Sequence, residues 1–514
     1  MKNTLRGTLV YKGERGASAY EIAVKHGFEG DEEAWLASLG DDTLYKLLPT
    51  NVKNFGAVGD GITDDTEAIK AALEAGGIIY FPKGTYVFNE SITNTKASNI
   101  IGDDAEIITN SKNGYSYMFS FEGVDKITIS NIKFNSNNVG RGCVSVRNVS
   151  NVEVKNCEFT GYSNVYGYYE TDSCLLVGNS ENVHITNCDF HDTGYDLVQE
   201  VLNRAVTVED SEQAEIRGCR FNKVNQAIVS MNNKTIVTDC VFDFVEDNNI
   251  YNFSNDDKGL RGELICTNNY ISNRVDEGIV TSGKINLISN NIFDFVPNCI
   301  ETSASVESLI VTNNVFRNVK NKDGEHGVVI SSRDESYTID DVVIKNNVID
   351  IPVQCTGNGQ ILHFPTVTRL SFTDNVINFY AVAYGRGIYF KTAEYLIFTN
   401  NFMTDKNNVD NANAYACETQ PTKQIISNNY LGSLRIGVNN SQNLDLVTTN
   451  MKPYLQTHNS NKMYIGQSAP VQGTWSRGDI IFNKFPSVGG NTGWVCVEAG
   501  TPGVWKPMAK VLDS

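Results

Sequence analysis

Along most of the chain, apolar residues fall into short alternating runs, and each run closes on one five-position phrase. It reads polar, polar, Asn or Cys, apolar, apolar. Clear copies are Lys155-Asn156-Cys157-Glu158-Phe159, Thr186-Asn187-Cys188-Asp189-Phe190, Thr312-Asn313-Asn314-Val315-Phe316 and Thr399-Asn400-Asn401-Phe402-Met403. The third position runs Ile132, Cys157, Cys188, Cys219, Cys240, Asn269, Asn291, Asn314, Asn347, Asn375, Asn401 and Asn429. The steps average roughly 27 residues, a spacing typical of solenoid repeats. Each phrase follows a β-branched run such as Leu309-Ile310-Val311, with another strand about 14 residues before the Asn or Cys. One repeat is therefore a strand, a turn, a second strand, a tight turn and a short third strand. Stacking such coils about 4.8 Å apart puts equivalent side chains above one another. Asn amides can then bond along the stack, and Asn tolerates the left-handed backbone of a tight turn. The pattern predicts an all-β chain: a right-handed, single-stranded parallel β-helix from about residue 75 to 450.

The flanks break the pattern. In residues 1–45, Ala17–Gly27 reads as a short helix stopped by Gly27, and Asp31 caps a second carrying Trp35, Leu36 and Leu39. A helix pair this short cannot bury a core alone, so this module is expected to oligomerise or dock. Residues 51–110 form an entry segment. In it Asp64 caps a helix over 64–75 with Ala68, Ile69, Ala72 and Leu73 on one face. That helix would cover the open first coil, whose edge is otherwise unpaired. Residues 111–450 are the coils. Residues 462–514 hold Trp475, Trp494 and Trp505 and no Asn phrase, and read as a small β-domain.

Composition narrows the function. A net charge of −18 and a sequence pI near 4.8 argue against non-specific nucleic-acid binding. No run of 18 apolar residues exists, so no membrane partner is expected, and the start lacks the apolar stretch of a signal peptide. Eleven cysteines, four of them in one stacking column, read as reduced interior thiols of a chain folded in a cytosol. No Cys/His spacing suggests zinc, so neither a metal nor a cofactor is expected.

The stretch from Phe55 to Val87, whose motif runs Gly56-Ala57-Val58-Gly59-Asp60-Gly61-Ile62-Thr63-Asp64-Asp65-Thr66-Glu67-Ala68-Ile69, is similar to the entry segment of pectate-lyase-like β-helical phage tailspikes. Gly16 to Leu39 resembles a short module near the N-termini of phage tail fibre and baseplate proteins. Trp475 to Trp505 looks like a small C-terminal module of similar proteins. Together these cover about a fifth of the chain; the coils match in architecture alone. The resemblance implies a homotrimeric virion tail protein, made in the host cytoplasm. It would contact baseplate or tail proteins and bind, and in many relatives cleave, a bacterial surface glycan or wall teichoic acid. Hydrolases, lyases and pure binders all occur among such proteins, and fold alone does not choose between them.

Asp60, Asp64 and Asp65 are read as structural, capping a helix and holding a Gly turn. The chemistry is expected on the outer side of the first strands of the middle coils. Aligning these strands on Ile279, Ile300, Val328, Ile361 and Ile388 brings Glu277, Glu301, His326, Arg386, Tyr389 and Lys391 to one face. Glu277 and Glu301, with Asp276 beside them, suit an acid and a base flanking a water in an inverting hydrolase. His326, Arg386, Tyr389 and Lys391 would grip the sugar. Two insertions offer a rival groove: residues 158–173, rich in Tyr, and residues 189–203, with His191, Asp192, Tyr195, Asp196 and Glu200.

Overall fold

The five-position phrase sits at one corner of the coil, and its positions divide the work. In the computed structural model the second position takes left-handed backbone: φ is 52° at Asn156 and Asn187, 58° at Asn313 and 60° at Asp374. Gly218 fills that position in one coil with φ 62°. The third position turns inward: it is buried as Ile132 and then as Cys or Asn from Cys157 to Asn401, and half-buried at Asn429. Asn and Asp are tolerated at the left-handed position because their short polar side chains bond locally.

The structure describes residues 19–29, 31, 35, 49–438 and 463–512. Residues 95, 111–116, 140–141, 163–172, 194–202, 256–257, 260, 274–275, 320–327, 355–360, 381–385, 406–412, 420 and 432–433 fall outside that description. The chain divides into two compact units, residues 1–286 and 287–514.

In the first unit one coil is built from Arg204–Glu209, Gln213–Arg217 and Arg220–Val224. We call the faces formed by these first, second and third strands A, B and C. All three pair in parallel with the equivalent strands of the next coil, for example Val206 with Ile228, Ala214 with Thr235 and Phe221 with Phe242. Side chains of like chemistry stack inside. Phe134, Phe159, Phe190, Phe221 and Phe242 are buried, with successive centroids 5.3, 4.8, 5.1 and 4.9 Å apart. Cys157, Cys188, Cys219 and Cys240 are buried free thiols. Each Sγ lies 3.3–3.4 Å from the carbonyl two residues earlier.

The entry helix spans Thr66–Ala75 and buries Ile69, Ala72 and Leu73. It starts one residue later than expected, with Asp65 at the N-cap. Asp64 still accepts from Thr66 N at 3.0 Å, while Asp65 accepts from Val58 N at 2.6 Å and Gly59 N at 3.2 Å. These acids therefore hold the helix start and the Gly turn, the structural role read for them. Asn94 Nδ2 donates to Leu73 O at 2.9 Å and ties the helix end to the strand Ile92–Asn94. Near the N-terminus, Ala19–Lys25 is helical and Tyr20 lies 6.0 Å from Trp35 between ring centroids. Most of the second helix expected there lies outside the described residues.

The second unit repeats the same coil with Asn in the column. Asn291, Asn314, Asn347, Asn375 and Asn401 each donate Nδ2 to the Oδ1 of the next Asn at 2.9–3.1 Å. Their main-chain N–H groups donate to the same oxygens. A separate four-stranded sheet follows, with strands Met463–Gly466, Ile480–Asn483, Gly493–Glu498 and Val504–Pro507. Trp475 and Trp505 meet edge to face there, 5.2 Å apart.

Candidate functional site

Face A of the second unit gathers the charged and aromatic side chains. Its register differs from the sequence alignment. Asn298 pairs with Val328, Ile300 with Ile330, Ile330 with Leu362, and Leu362 with Ile388. The anchors Val328 and Ile361 are thus displaced by two residues and by one. A slip of one residue reverses which side chains face out. The outer row is therefore Glu301, Ser331, His363 and Tyr389. The corrected register puts His363, a histidine the alignment did not place there, in the outer row; His326 lies outside the described residues. Arg386 begins the strand Arg386–Thr399, and its side chain also lies outside the description.

The row is held from both ends. Glu301 is 8% exposed. Its Oε1 accepts from Arg333 Nε at 2.6 Å, and its Oε2 from Asn298 Nδ2 at 3.3 Å. Arg333 reaches it because its own N–H bonds Thr302 O at 2.9 Å, which fixes the turn after Val328–Ser332. Ser331 Oγ bonds Asn298 Oδ1 at 3.1 Å. The His363 and Tyr389 rings are 5.2 Å apart, tilted by 48°. The Tyr389 hydroxyl donates to Glu418 Oε1 at 2.6 Å. Burial pushes the His363 pKa below its usual value, and the Glu335 carboxylate, 4.0 Å away, offsets this only in part. His363 is therefore neutral at pH 7 and can both donate and accept. Asp334 is held below the carboxylate range by the Ser336 N–H first and Lys391 last. Lys391 is half-buried, and its carbonyl accepts from Glu418 N and Thr419 N.

Sequence reasoning missed His363, Arg333, Glu335 and Glu418. Each lies one coil away from the residue it touches, and only the exact register shows that.

The remaining expected residues lie in the first unit. Glu277 opens the strand Glu277–Thr281 and is half-buried; Asp276 is exposed. With Asp247 they bring carboxylate oxygens within 4.8 Å of one another. Asp247 also accepts from Asn248 Nδ2 and Gln226 Nε2. Glu277 and Glu301 belong to different units. In the rival groove, His191 sits between Asp192 (2.9 Å) and Glu158 (2.9 Å). Tyr195, Asp196, Glu200 and most of the Tyr-rich insertion lie outside the described residues.

The fold is a parallel β-helix. A family model described as rhamnogalacturonase A/epimerase, pectate lyase-like, matches residues 49–261. Over 92 residues the chain is 36% identical to a probable glucan endo-1,3-beta-glucosidase of Arthroderma benhamiae, covering 13% of this chain and 10% of that protein. Over 48 residues it is 50% identical to plasmin and fibronectin-binding protein A of Streptococcus pneumoniae, covering 8% and 7%. Over 41 residues it is 56% identical to a mannuronan C5-epimerase of Azotobacter vinelandii, covering 7% and 4%. The chain thus spans a tenth or less of the length of these relatives. Among solved structures it is similar to ORF18 of Geobacillus virus E2, with TM-score 0.39, 18% identity and coverage of 62% and 64%. The adhesin PfbA of Streptococcus pneumoniae gives 0.46 at 14% identity, over 90% and 100%. No helix among the described residues is long and apolar enough to cross a membrane.

Proposed function

We propose that this chain is a phage tailspike that binds a bacterial surface polysaccharide or wall teichoic acid on face A of the second unit, and depolymerises it by hydrolysis. The observation that carries the binding reading is the row Glu301, Ser331, His363 and Tyr389, in which Ser331 and His363 are half-buried and Glu301 and Tyr389 buried beside them, flanked by Arg333, Glu335, Lys391 and Glu418. Aromatic faces pack against the apolar side of a sugar ring, and fixed carboxylates and cations take its hydroxyls and anionic groups. A row along a solenoid offers one such contact per coil, which suits a repeating polymer. The entry-segment resemblance and the pectate-lyase-like family match support the polysaccharide class. The resemblance of the flanking modules supports a virion tail protein, homotrimeric and joined to baseplate or tail partners.

In this reading Glu301 positions rather than transfers protons. Arg333 already engages its Oε1 and Asn298 its Oε2. No step is assigned to Asp276 or Glu277. A second reading, a receptor-binding spike without catalysis, uses the same face.

Four polymers test the binding: rhamnogalacturonan, alginate, β-1,3-glucan and glycerol-phosphate wall teichoic acid, titrated calorimetrically against the full chain. Binding of at least one, weakened about tenfold or more by His363→Ala or Tyr389→Ala, is expected, since truncated aromatic anchors typically cost more than about 1 kcal/mol. Binding that both variants leave intact refutes the site, and no binding at all refutes the reading. Reducing ends, unsaturated uronate absorbance and released phosphate then separate hydrolase, lyase and pure binder.

A further inference from the structure

Face C of the first unit carries a row of charges set by register: Glu106, Lys133, Glu158, Asp189 and Arg220. Signs alternate at every step except one. Glu158 and Asp189 are direct neighbours of like charge on adjacent strands, an arrangement that destabilises a sheet. Nothing in the fold requires it, because the inward residues Phe159 and Phe190 do the packing there. The pair borders a groove of about 680 Å³, which Lys133 and Glu106 also line.

The two carboxyls stand in different surroundings. Both bonds recorded to Glu158 fall on Oε1, from Lys133 Nζ at 2.9 Å and His191 Nε2 at 2.9 Å. Burial raises the Glu158 pKa, but Lys133 and His191 outweigh it and hold the group below its usual value. Among the described residues, Asp189 Oδ1 is buried and has no hydrogen-bond partner. Burial pushes Asp189 up, His191 and Arg220 pull back only partly, and the Glu158 charge adds to the rise. Two neighbouring carboxyls driven apart in this way make an acid and an ionised partner.

We propose that this groove is a glycoside-hydrolysing centre in which Asp189 is the general acid and Glu158 the nucleophile. Glu158 and Asp189 are register partners on strands about 4.8 Å apart, close enough for their carboxyls to take the separation of about 5 Å that retaining enzymes use. Glu158 Oε2 attacks the anomeric carbon as its bond to the leaving oxygen breaks, and Asp189 gives its proton to that oxygen. The sugar is left as an ester on Glu158. Water then bonds to the anomeric carbon, its proton passes to the Asp189 carboxylate, and Glu158 departs ionised. Lys133 and His191 orient Glu158 through Oε1; His191 is itself fixed by Asp192.

This inference rests on the polysaccharide reading above, and the same four polymers separate the two. The full chain is expected to release reducing ends from a polymer that it binds, with nuclear magnetic resonance showing retained anomeric configuration in the first product. Asp189→Asn and Glu158→Gln should each lower release about 100-fold or more while calorimetric binding on face A persists. Asp189→Asn should also melt no lower than the native chain, because it removes the like-charge contact; that separates lost catalysis from lost folding. Polymer bound but not cleaved, cleavage undiminished in either variant, or an inverted product overturns this centre and leaves the binding reading standing. No binding and no cleavage across all four overturns both.

Discussion

Arg333 places Nε 2.6 Å from Oε1 of Glu301, one coil away, and shields a carboxylate that is otherwise almost fully buried. The pair is asymmetric: the Glu301 side chain is 11% exposed and that of Arg333 47%. Removing the arginine strands the carboxylate, whereas removing the carboxylate returns the arginine to water. Arg333→Ala should therefore cost about 2 kcal/mol, from the penalty of an unpaired buried acceptor. Glu301→Gln should cost less. Urea denaturation of both single variants and the double variant measures the coupling, and an Arg333→Ala chain as stable as the native one disproves the shielding.

Asn347 lies at the centre of the amide ladder. Its Oδ1 accepts from Asn314 N (2.9 Å) and Asn314 Nδ2 (3.1 Å), and its Nδ2 donates to Val311 O (2.9 Å) and Asn375 Oδ1 (3.1 Å). Asn347→Ala leaves several buried groups unpaired and opens a small void. At about 1–3 kcal/mol for each stranded group, a loss of about 3 kcal/mol is expected. A midpoint shift within error in a denaturant titration would show that the ladder is decoration.

Much of this fold was legible because the phrase reports two independent demands of one corner. The left-handed position asks for Asn, Asp or Gly, and the inward position for a small group that can bond along the stack. The third strand follows from the Phe that closes the phrase, so the Phe134 to Phe242 stack was implied with it. The outer face was harder to read. Outward residues obey no packing rule, and the loops joining third to first strands vary in length, so the alignment slipped at Val328 and Ile361 and hid His363. The Glu158–Asp189 pair shows the same limit. Both residues stand inside quoted phrases, yet their contact exists only between coils, and the burial that separates their acidities comes from the groove.

The two described histidines with shifted acidity should act oppositely with pH. His363 has a folded pKa lowered by burial, so the unfolded chain binds more protons between that value and about 6.5. Its stabilising contribution is present above about pH 6.5 and is lost as pH falls through the folded value. Burial also opposes charge on His191, but the bonds to Asp192 and Glu158 prevail and raise its pKa. Its contribution is complete below about pH 6.5 and is lost as pH rises through the folded value. His363→Gln should therefore gain relative stability on acidification, and His191→Gln on alkalinisation. Melting temperatures from pH 5 to pH 8 check both slopes, and slopes of the same sign for the two variants contradict the assignment.

Tyr389 combines a ring beside His363 with a hydroxyl fixed on Glu418 at 2.6 Å, and two substitutions separate these roles. Tyr389→Phe keeps the ring and leaves Glu418, which is exposed, to water. It should cost about 1 kcal/mol of stability or less, the net worth of a typical hydrogen bond, and weaken glycan binding only a few-fold. Tyr389→Ala removes a buried aromatic and should cost about 3 kcal/mol or more through the void it leaves. At a temperature where that variant remains folded, its affinity should still fall about tenfold or more, because the platform itself is gone. Calorimetry on the polymer bound by the native chain makes the comparison. Equal affinities for the Phe and Ala variants would mean that the sugar does not rest on this ring, and face A would lose its central contact.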